Sequence, residues 1–510
     1  MWKRYAKVGL IVFCVFLLVC FAKREEEKKG LLAEIITTND DKIEVNSFTE
    51  EFESEEPVIR LEFNPIVRVV ISDASFQGII HKDVLVTSSK PYDLLSPEGE
   101  LFAEYKAGET IAFSSFRMQP GESLVLASKE AERFSVDSLS RAQGVPFYRG
   151  KLQIYKEENG YVIVNELPLE EYLLSVVPSE MPSSYPAQAL AAQAVCARSY
   201  AYSFLNQPGY PQYDAHMDDS TSYQVYNNIE ETEETTAAIK NTEGAVMLKD
   251  GVPVSTYFFS TSCGVTSNEN VWSLKNNLEE VTFLPVAVSD AKEDSVAVLS
   301  QGEQKPLFDA QNLCEEETFS AFISNVDMNS LEAEEQWYRW VYKGKISAKN
   351  LFDKLESIYQ EKPEAVLTKE NETYISKEPK EFQSVLEISV QKRLPGGVAD
   401  ELLIETEDGC YLVKSEYYIR KVLADKSGVV TRNDQSRVEA MGLLPSAYFV
   451  VELKRDKKEN VNAIVLTGGG YGHGVGMSQN GAKTAALKGM SWDEILNFFY
   501  SNLELCIIEK

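Results

Sequence analysis

The chain has 510 residues, a length at which a single hydrophobic core usually gives way to two or three packed units. Hydrophobic residues make up 44% and aromatic residues 11%, as in ordinary globular proteins, which argues against a mostly disordered chain. The 79 acidic residues outnumber the 50 Lys and Arg, and the net charge of −29 would repel phosphate backbones. We therefore expect no nucleic acid among its partners.

The first 24 residues predict export. Basic residues precede and follow an uncharged, apolar stretch at 8–22, which is short for a membrane span and suits a signal peptide. No small-x-small cleavage site follows it, so a single-pass anchor in the cytoplasmic membrane, with an extracytoplasmic domain, is the favoured interpretation. A cleaved signal stays open, and a core helix or lipidation at Cys20 is a weaker alternative. Residues 25–57 are acidic and aperiodic, which indicates a solvated linker.

Residues 58–167 predict a β-rich N-terminal domain. Alternating, β-branched segments occur at 67–71, 83–87 and 161–164, and proline and glycine turns separate them.

The pattern changes to helical after residue 167. A short helix is predicted at 167–173, followed by a break that Pro178 and Pro182 bracket. A longer helix with Pro186 in its first turn comes next, and one face of it carries Leu190 and small residues at three- and four-residue steps (Ala194, Ala197 and Ala201). A second helix is predicted at 230–239 and a strand at 252–260.

A polar stretch at 361–381 indicates a surface loop or insertion in the second half of the chain. Strands are predicted at 384–390, 401–404 and 463–466, and a final helix at 492–500. The order of elements is mixed α and β.

The scarcity of histidine and the spacing of cysteine limit the possible chemistry. The chain has three histidines and seven cysteines, with no H-E-x-x-H, G-x-S-x-G or C-x-x-C motif. Zinc or triad chemistry would need residues far apart in the sequence. A mechanism that uses a carboxylate is simpler. With 79 acidic residues, however, composition alone does not identify the catalytic one.

One glutamate stands out by its surroundings. Glu180 lies between Pro178 and Pro182, with Val177 and Met181 beside it. This setting restricts the backbone and favours partial desolvation, which raises a carboxyl pKa and suits a general acid near neutral pH. A helix-capping or surface glutamate is the alternative that the residues alone leave open.

The second unusual string is the glycine-rich segment at 468–479. Alternate glycines let a substrate or another chain approach the backbone closely. A nucleotide loop is disfavoured because G-x-G-x-x-G is absent and too little chain follows for a βαβ unit. A purely structural tight loop stays open.

The motifs taken together resemble the stage II sporulation protein D family and its amidase-enhancer relatives. The resemblance covers about 58–508 and rests on strings in the family's order: 164–173, 177–182, 187–201, 260–264 with 271–272, Arg393 with 419–423, and 472–482.

The resemblance implies an α+β fold in which the β-rich N-terminal unit and a catalytic region at 168–508 form a glycan-binding cleft. It implies a peptidoglycan lytic transglycosylase of sporulation engulfment that cleaves the bond between N-acetylmuramic acid and N-acetylglucosamine and works beside a cell-wall amidase. Glu180 matches the family's catalytic glutamate. Six further residues match its glycan groove: Gln193, Arg198, Tyr471, His473, Ser478 and Gln479.

Two other functions remain open. The chain could be a non-catalytic module that binds glycan and activates an amidase, or a cysteine hydrolase that uses Cys263 and His473. No cofactor or catalytic metal is expected, because the stretch 215–226 lacks the cysteines that hold a structural zinc in some relatives.

Overall fold

The computed structural model describes residues 61–128, 130, 133–274, 310–328, 330–439, 441–500 and 502–510. The predicted export segment at 1–24 and the predicted linker at 25–57 lie outside the described residues. Within the described part, no helix has the length and hydropathy needed to cross a membrane.

Ten strands precede the first α-helix of the described residues. They are β1 (Ile66–Ile71), β2 (Leu85–Ser88), β3 (Tyr92–Leu95), β4 (Leu101–Tyr105), β5 (Ile111–Ala112), β6 (Ser123–Ala127), β7 (Phe134–Val136), β8 (Phe147–Tyr148), β9 (Lys151–Glu157) and β10 (Gly160–Pro168). The strands predicted at 67–71 and 161–164 are confirmed as parts of β1 and β10, and β2 covers most of 83–87.

A seven-stranded sheet in the order β11-β1-β10-β9-β6-β3-β4, in which β11 is Met217–Asp218, is the platform for the elements that follow. Its central strands are apolar on both faces, because each face covers a different core. Val69 and Ile163 face the larger core, whereas Val70 and Val164 pack in a smaller cluster with Tyr213. The remaining strands of this part of the chain form a four-stranded sheet in the order β5-β2-β7-β8.

Two helices follow β10 directly and place the candidate site. The helices and strands of this part are α1 (Leu169–Glu180), α2 (Ala187–Phe204), β11 (Met217–Asp218), α3 (Glu233–Asn241), β12 (Ala245–Lys249), β13 (Val252–Pro253) and β14 (Phe258–Phe259). Helix α2 is buried on two sides: Ala194, Ala197 and Ala201 pack toward the sheet, and Leu190 packs toward the C-terminal helices. The close packing of the three alanines is confirmed, whereas Leu190, predicted on the same face, packs in a different cluster.

The predicted break between the first two helices is misplaced. Helix α1 runs through Pro178 and ends at Glu180, with Met181 extended. The missing N–H of Pro178 is tolerated in the last turn, where the Ser179 hydroxyl donates to the carbonyl of Ser175. Burial of Val176 and Val177 holds this turn against the core, which local sequence preference does not show.

The strand predicted at 252–260 is also wrong as a single element. The chain turns at Ser255 and Tyr257, so only β13 and β14 form, with two residues each. The hydroxyl of Thr256 donates to the carbonyl of Cys196 at 2.7 Å and thereby holds the turn on α2.

The second half contains two five-stranded sheets, β22-β21-β15-β24-β23 and β17-β16-β20-β19-β18. Its elements are α4 (Glu316–Ile323), β15 (Trp340–Lys345), α5 (Ala348–Glu361), β16 (Val366–Glu370), β17 (Thr373–Ser376), β18 (Val385–Arg393), β19 (Ala399–Thr406), β20 (Gly409–Lys414), α6 (Glu416–Leu423), β21 (Val429–Arg432), β22 (Arg437–Glu439), β23 (Phe449–Arg455) and β24 (Val461–Gly468). The strands predicted at 384–390, 401–404 and 463–466 are confirmed. The fold is α+β.

The polar stretch at 361–381 is a hairpin rather than the predicted loop. Strands β16 and β17 pair around a two-residue turn in which Asn371 has a φ of 54°. Its polarity follows from its place, because β17 is the edge strand of its sheet and is mostly exposed.

The C-terminal elements return to the first half. They are β25 (Met477–Ser478), α7 (Gln479–Leu487), α8 (Trp492–Phe499) and β26 (Glu504–Ile507). Strand β25 pairs in parallel with β14, and β26 pairs with β12. The final helix predicted at 492–500 is confirmed, and these pairings bring the glycine-rich segment beside α1 and α2.

Candidate functional site

Glu180 is the last residue of α1 and is held at both its side chain and its backbone. The backbone N–H of Val225 donates to the carboxylate Oε1 at 2.5 Å, and the Nε2 of Gln479 donates to the Glu180 carbonyl at 3.0 Å. The carboxyl group is thus anchored by a loop that follows β11 and by the first residue of α7. Glu180 is half-buried, so it keeps a path to solvent.

The pKa of Glu180 is raised to about 7. Burial of the carboxyl group causes the rise, and the hydrogen bond from Val225 opposes it. Near neutral pH the group is therefore divided between the acid, which can donate a proton, and the carboxylate, which can accept one.

An aromatic wall leads from Glu180 to the glycine-rich segment. It consists of Tyr200 on α2, Tyr257, Trp272 and His473. The ring centroids are 5.8 Å apart for Tyr200 and Tyr257, 4.7 Å for Tyr257 and Trp272, and 5.2 Å for Trp272 and His473. The pKa of Tyr200 is raised, mainly by burial and further by charges that include that of Glu180. The sequence motifs contain Tyr200 and Trp272, but no spacing rule marked them as neighbours.

Gln193 and Gln479 form an amide pair next to Glu180. The Nε2 of Gln479, which binds the Glu180 carbonyl, lies 3.3 Å from the Oε1 of Gln193. Gln193 is fully buried, and its Nε2 has no hydrogen-bond partner among the described residues. An unsatisfied buried donor is costly. At 0% exposed, however, the Gln193 side chain is closed to a substrate, which corrects its assignment to the groove.

Arg198 does not lie in a groove, contrary to the expectation from the resemblance. Its side chain is fully buried and pairs with Glu170 through two hydrogen bonds, at 2.7 and 2.9 Å. It also donates to the carbonyls of Ala245 and Ile239. These contacts join α1, α2, α3 and β12, so Arg198 has a structural role.

The glycine-rich segment is shaped by close packing. A Cβ atom on Gly474, whose φ is 81°, would lie 2.2 Å from the hydroxyl oxygen of Tyr448. A Cβ on Gly476, whose φ is 76°, would lie 2.0 Å from the carbonyl oxygen of Tyr257. The glycines are therefore required by the fold, as the alternative of a structural tight loop proposed.

The polar residues of the glycine-rich segment differ in how far they are exposed. Tyr471 is 37% exposed and lies against Trp337, with ring centroids 4.6 Å apart. The Nδ1 of His473 accepts a hydrogen bond from the Val475 N–H at 3.1 Å. Burial, together with the charge of Arg420, lowers the pKa of His473 to about 3, so its ring is neutral at physiological pH.

Ser478 is closed to a substrate, which corrects its assignment to the groove. Its side chain is fully buried, and its hydroxyl donates to the Oε1 of Glu332 at 2.6 Å. Glu332 also accepts hydrogen bonds from the backbone and the hydroxyl of Ser262. Burial raises the pKa of Glu332 to about 7. The sequence analysis missed Glu332, because it is one of 79 acids and lies in no recognised motif.

Cys263 lacks the properties of a nucleophile. It is 1% exposed, and burial raises the pKa of its thiol to about 12, so almost no thiolate exists near neutral pH. The cysteine hydrolase alternative is not supported. Among the described residues, no group of three or more His, Cys, Asp or Glu side chains is arranged to hold a metal ion.

Comparison with known proteins adds two family matches. Residues 157–248 match the family of the stage II sporulation protein (SpoIID), and residues 266–476 match a domain of unknown function (DUF8618). Glu180, Gln193 and Arg198 fall in the first match, and Tyr471 and His473 in the second. Ser478 and Gln479 follow both.

Three curated relatives are similar over part of the chain. An amidase enhancer of Bacillus subtilis is 26% identical over 338 residues, which are 65% of this chain and 40% of the relative. An uncharacterized protein of Brachyspira hyodysenteriae is 26% identical over 74% of this chain and 77% of its own length. Stage II sporulation protein D of Bacillus subtilis is 30% identical over 29% of this chain and 48% of its own length.

The chain thus spans less than half the length of the amidase enhancer and of the stage II sporulation protein D that it matches. The resemblance on which the sequence analysis rested is nevertheless confirmed by both the family match and the named relatives. Residues 157–248, which hold Glu180 and helices α1 and α2, are thus similar to the SpoIID family.

Proposed function

We propose that this protein is a lytic transglycosylase that cleaves the bond between N-acetylmuramic acid and N-acetylglucosamine in peptidoglycan glycan strands, in the cell-wall remodelling of sporulation engulfment. The observation that carries the proposal is Glu180 itself, a half-buried residue whose carboxyl has a pKa of about 7, so that one group can act as acid and then as base. The family match and the similarity to an amidase enhancer support a sporulation-related role at the cell wall.

The chemistry requires two proton transfers by Glu180. The neutral acid protonates the oxygen of the glycosidic bond, which breaks, and the leaving sugar departs as an alcohol. The carboxylate then takes the proton of the muramic acid's own 6-hydroxyl, whose oxygen attacks the anomeric carbon and closes a 1,6-anhydro ring. Glu180 ends the cycle protonated, as it began.

One accessible carboxyl is sufficient for this reaction. A hydrolase ordinarily needs a second carboxyl to act as nucleophile or to activate water. Glu332 has a similarly raised pKa but is 0% exposed, and its oxygens already accept three hydrogen bonds. It therefore cannot reach a sugar.

The surroundings of Glu180 suit a glycan. The wall formed by Tyr200, Tyr257, Trp272 and His473 supplies apolar ring surface. Aromatic side chains are typical of the lining of ligand-binding sites. The exposed Tyr471 extends the surface toward the second half of the chain.

A second candidate function is a non-catalytic module that holds glycan and activates a cell-wall amidase. The observation that favours it is the similarity to a protein named amidase enhancer over 65% of this chain. In this case Glu180 would contribute to glycan binding without proton transfer. A cell-wall amidase is the proposed partner in both cases.

The test uses purified protein and glycan strands from which the stem peptides have been removed. A transglycosylase releases fragments ending in 1,6-anhydromuramic acid without any partner, and mass spectrometry detects the loss of one water relative to hydrolysis products. Release of reducing-end fragments would instead identify a hydrolase. No release, together with stimulation of an added amidase, would establish the activator.

We also propose that the protein is tethered to the cytoplasmic membrane by residues 8–22, with the enzymatic part outside. Basic residues on both sides of this apolar stretch and the lack of a cleavage site support the proposal. N-terminal sequencing tests it: a soluble form that begins near Glu25 would show that the segment is a cleaved signal.

A further inference from the structure

The region matched by the domain of unknown function reaches the candidate site through one buried side chain. Glu332 lies in the segment between α4 and β15, far in sequence from Glu180. It is 0% exposed and contacts two of the recognised motifs at once, through Ser262 and Ser478. Nothing in its own sequence neighbourhood explains why a carboxyl group is buried here.

Among the described residues, the Glu332 carboxylate accepts three hydrogen bonds, and serine residues donate all of them. Oε1 accepts from the Ser262 N–H at 3.0 Å and from the Ser478 hydroxyl at 2.6 Å, and Oε2 accepts from the Ser262 hydroxyl. No cation pairs with Glu332 within the described residues, since Lys483 pairs with Glu335 instead. Serine hydroxyls without a charged partner fix position rather than neutralise charge.

The Ser478 hydroxyl connects Glu332 to the start of α7. The same oxygen that donates to Glu332 accepts from the N–H of Gly481 at 3.3 Å, which makes Ser478 the N-cap of the helix. Gln479, the next residue, donates to the Glu180 carbonyl. A continuous chain of contacts thus runs from Glu332 through Ser478 and Gln479 to Glu180.

We propose that Glu332 is a positioning residue: it fixes the start of α7 through Ser478, so that Gln479 holds the end of α1 and the amide of Gln193 in the arrangement that the site requires. This role gives the region matched by the domain of unknown function a part in the site without contact with substrate. The catalytic arm of the test rests on the proposed transglycosylase function, whereas the structural arm does not.

The substitution Glu332→Gln isolates geometry from charge. Its amide oxygen can accept from the Ser262 N–H and the Ser478 hydroxyl, and its amide nitrogen can donate to the Ser262 hydroxyl. Glu332→Ala removes all three contacts. Glu334→Ala is the matched control, because Glu334 is exposed and lies two residues away.

The structural arm measures amide hydrogen exchange by mass spectrometry in the full chain. We expect Glu332→Ala to speed exchange in the peptides that contain 478–482 and 176–182, and Glu332→Gln and Glu334→Ala to leave both peptides unchanged. If Glu332→Ala does not fold, Ser478→Gly replaces it, since glycine keeps a tolerable N-cap but removes the contact with Glu332. Unchanged exchange in both peptides would overturn the proposal.

The catalytic arm measures kcat and KM on glycan strands. Glu332→Ala should lower kcat about 10- to 100-fold with a smaller change in KM, because misplacement of a reacting group costs rate. The double variant with Gln479→Ala should be no slower than the slower single variant, since both residues act on one element. Fully multiplicative losses would overturn the proposal. A wild type that does not cleave at all rejects the proposed function and leaves the exchange result to decide the role of Glu332.

Discussion

Glu180 and Glu332 are two carboxyl groups whose pKa is raised to about 7 for the same reason, burial. They differ in access and in partners. Within the part of the chain that the structure describes, the half-buried Glu180 accepts a single hydrogen bond at its carboxylate, from the Val225 N–H, whereas the carboxylate of the fully buried Glu332 accepts three. A free oxygen with a path to solvent can exchange a proton with a substrate, but an oxygen occupied on every side cannot.

The comparison shows that a raised pKa does not by itself identify a general acid. Perturbed carboxyl groups also occur where a fold uses them to hold segments together. In this chain the two kinds lie on either side of the same short junction, since Ser478 binds Glu332 and Gln479 binds Glu180. The four predictions below test this division between an open and a closed polar group.

The largest expected effect is loss of cleavage in Glu180→Gln. The amide keeps the size of the side chain and can accept from Val225, but it cannot donate and recover a proton. Because one group serves both steps, we expect a loss at or beyond the upper end of the ~10²- to 10⁴-fold that general acid–base groups contribute. Initial rates on denuded glycan strands measure it, with glycan binding as the control for folding. Activity within a few-fold of wild type would remove Glu180 from this role.

Arg198 provides the next test, because the resemblance placed it in the groove whereas its side chain is fully buried. Replacing it with Met leaves Glu170 without its buried partner, and we expect a loss of about 3–5 kcal/mol in the free energy of unfolding. Urea denaturation measures this loss. The exposed pair of Lys349 and Asp353 is the control, and Lys349→Met should cost no more than about 0.5 kcal/mol. If the variant binds glycan more weakly but is as stable as wild type, Arg198 contacts the glycan and the structural assignment is wrong.

The free energy of unfolding should fall as pH rises, as expected for a carboxyl group whose pKa is raised in the native state. Below the unfolded-state pKa of Glu180, near 4.5, both states hold the proton; between that value and about 7 only the native state keeps it, so stability falls as pH rises through this window. Glu180→Gln removes the loss and should be more stable than wild type by roughly 1–3 kcal/mol at pH 8. Glu332→Gln should shift in the same direction. Denaturation at pH 5 and pH 8 gives the difference, and an equal stability change at both pH values would contradict the assignment.

The smallest expected effect concerns His473. Its pKa of about 3 keeps it neutral between pH 5 and 8, so the decline of kcat/KM above neutral pH should report Glu180 alone. In His473→Asn the rate can change because the ring contacts the aromatic wall, but the apparent pKa of this decline should not move. A decline that disappears in this variant would show that the histidine titrates during catalysis.

The sequence by itself determined the local features of the site. The proline-bracketed Glu180, the alanine face of α2 and the alternating strands at 67–71 and 161–164 depend on neighbours within a few residues, where helix and strand periodicity apply. The family motifs then ordered these pieces and selected one glutamate among 79 acids. Even here the end of α1 was misplaced, because burial of Val176 and Val177 carries the helix through Pro178.

Only the tertiary structure decided which polar residues are open and which are closed. Arg198 and Ser478 belong to motifs that resemble a groove, yet Glu170 and Glu332 occupy them from elements 28 and 146 residues away. Tyr200, Tyr257 and Trp272, which are far apart in the sequence, contact one another only in the folded chain. Burial and hydrogen-bond partners are set by contacts between distant segments, and no local pattern of residues records those contacts.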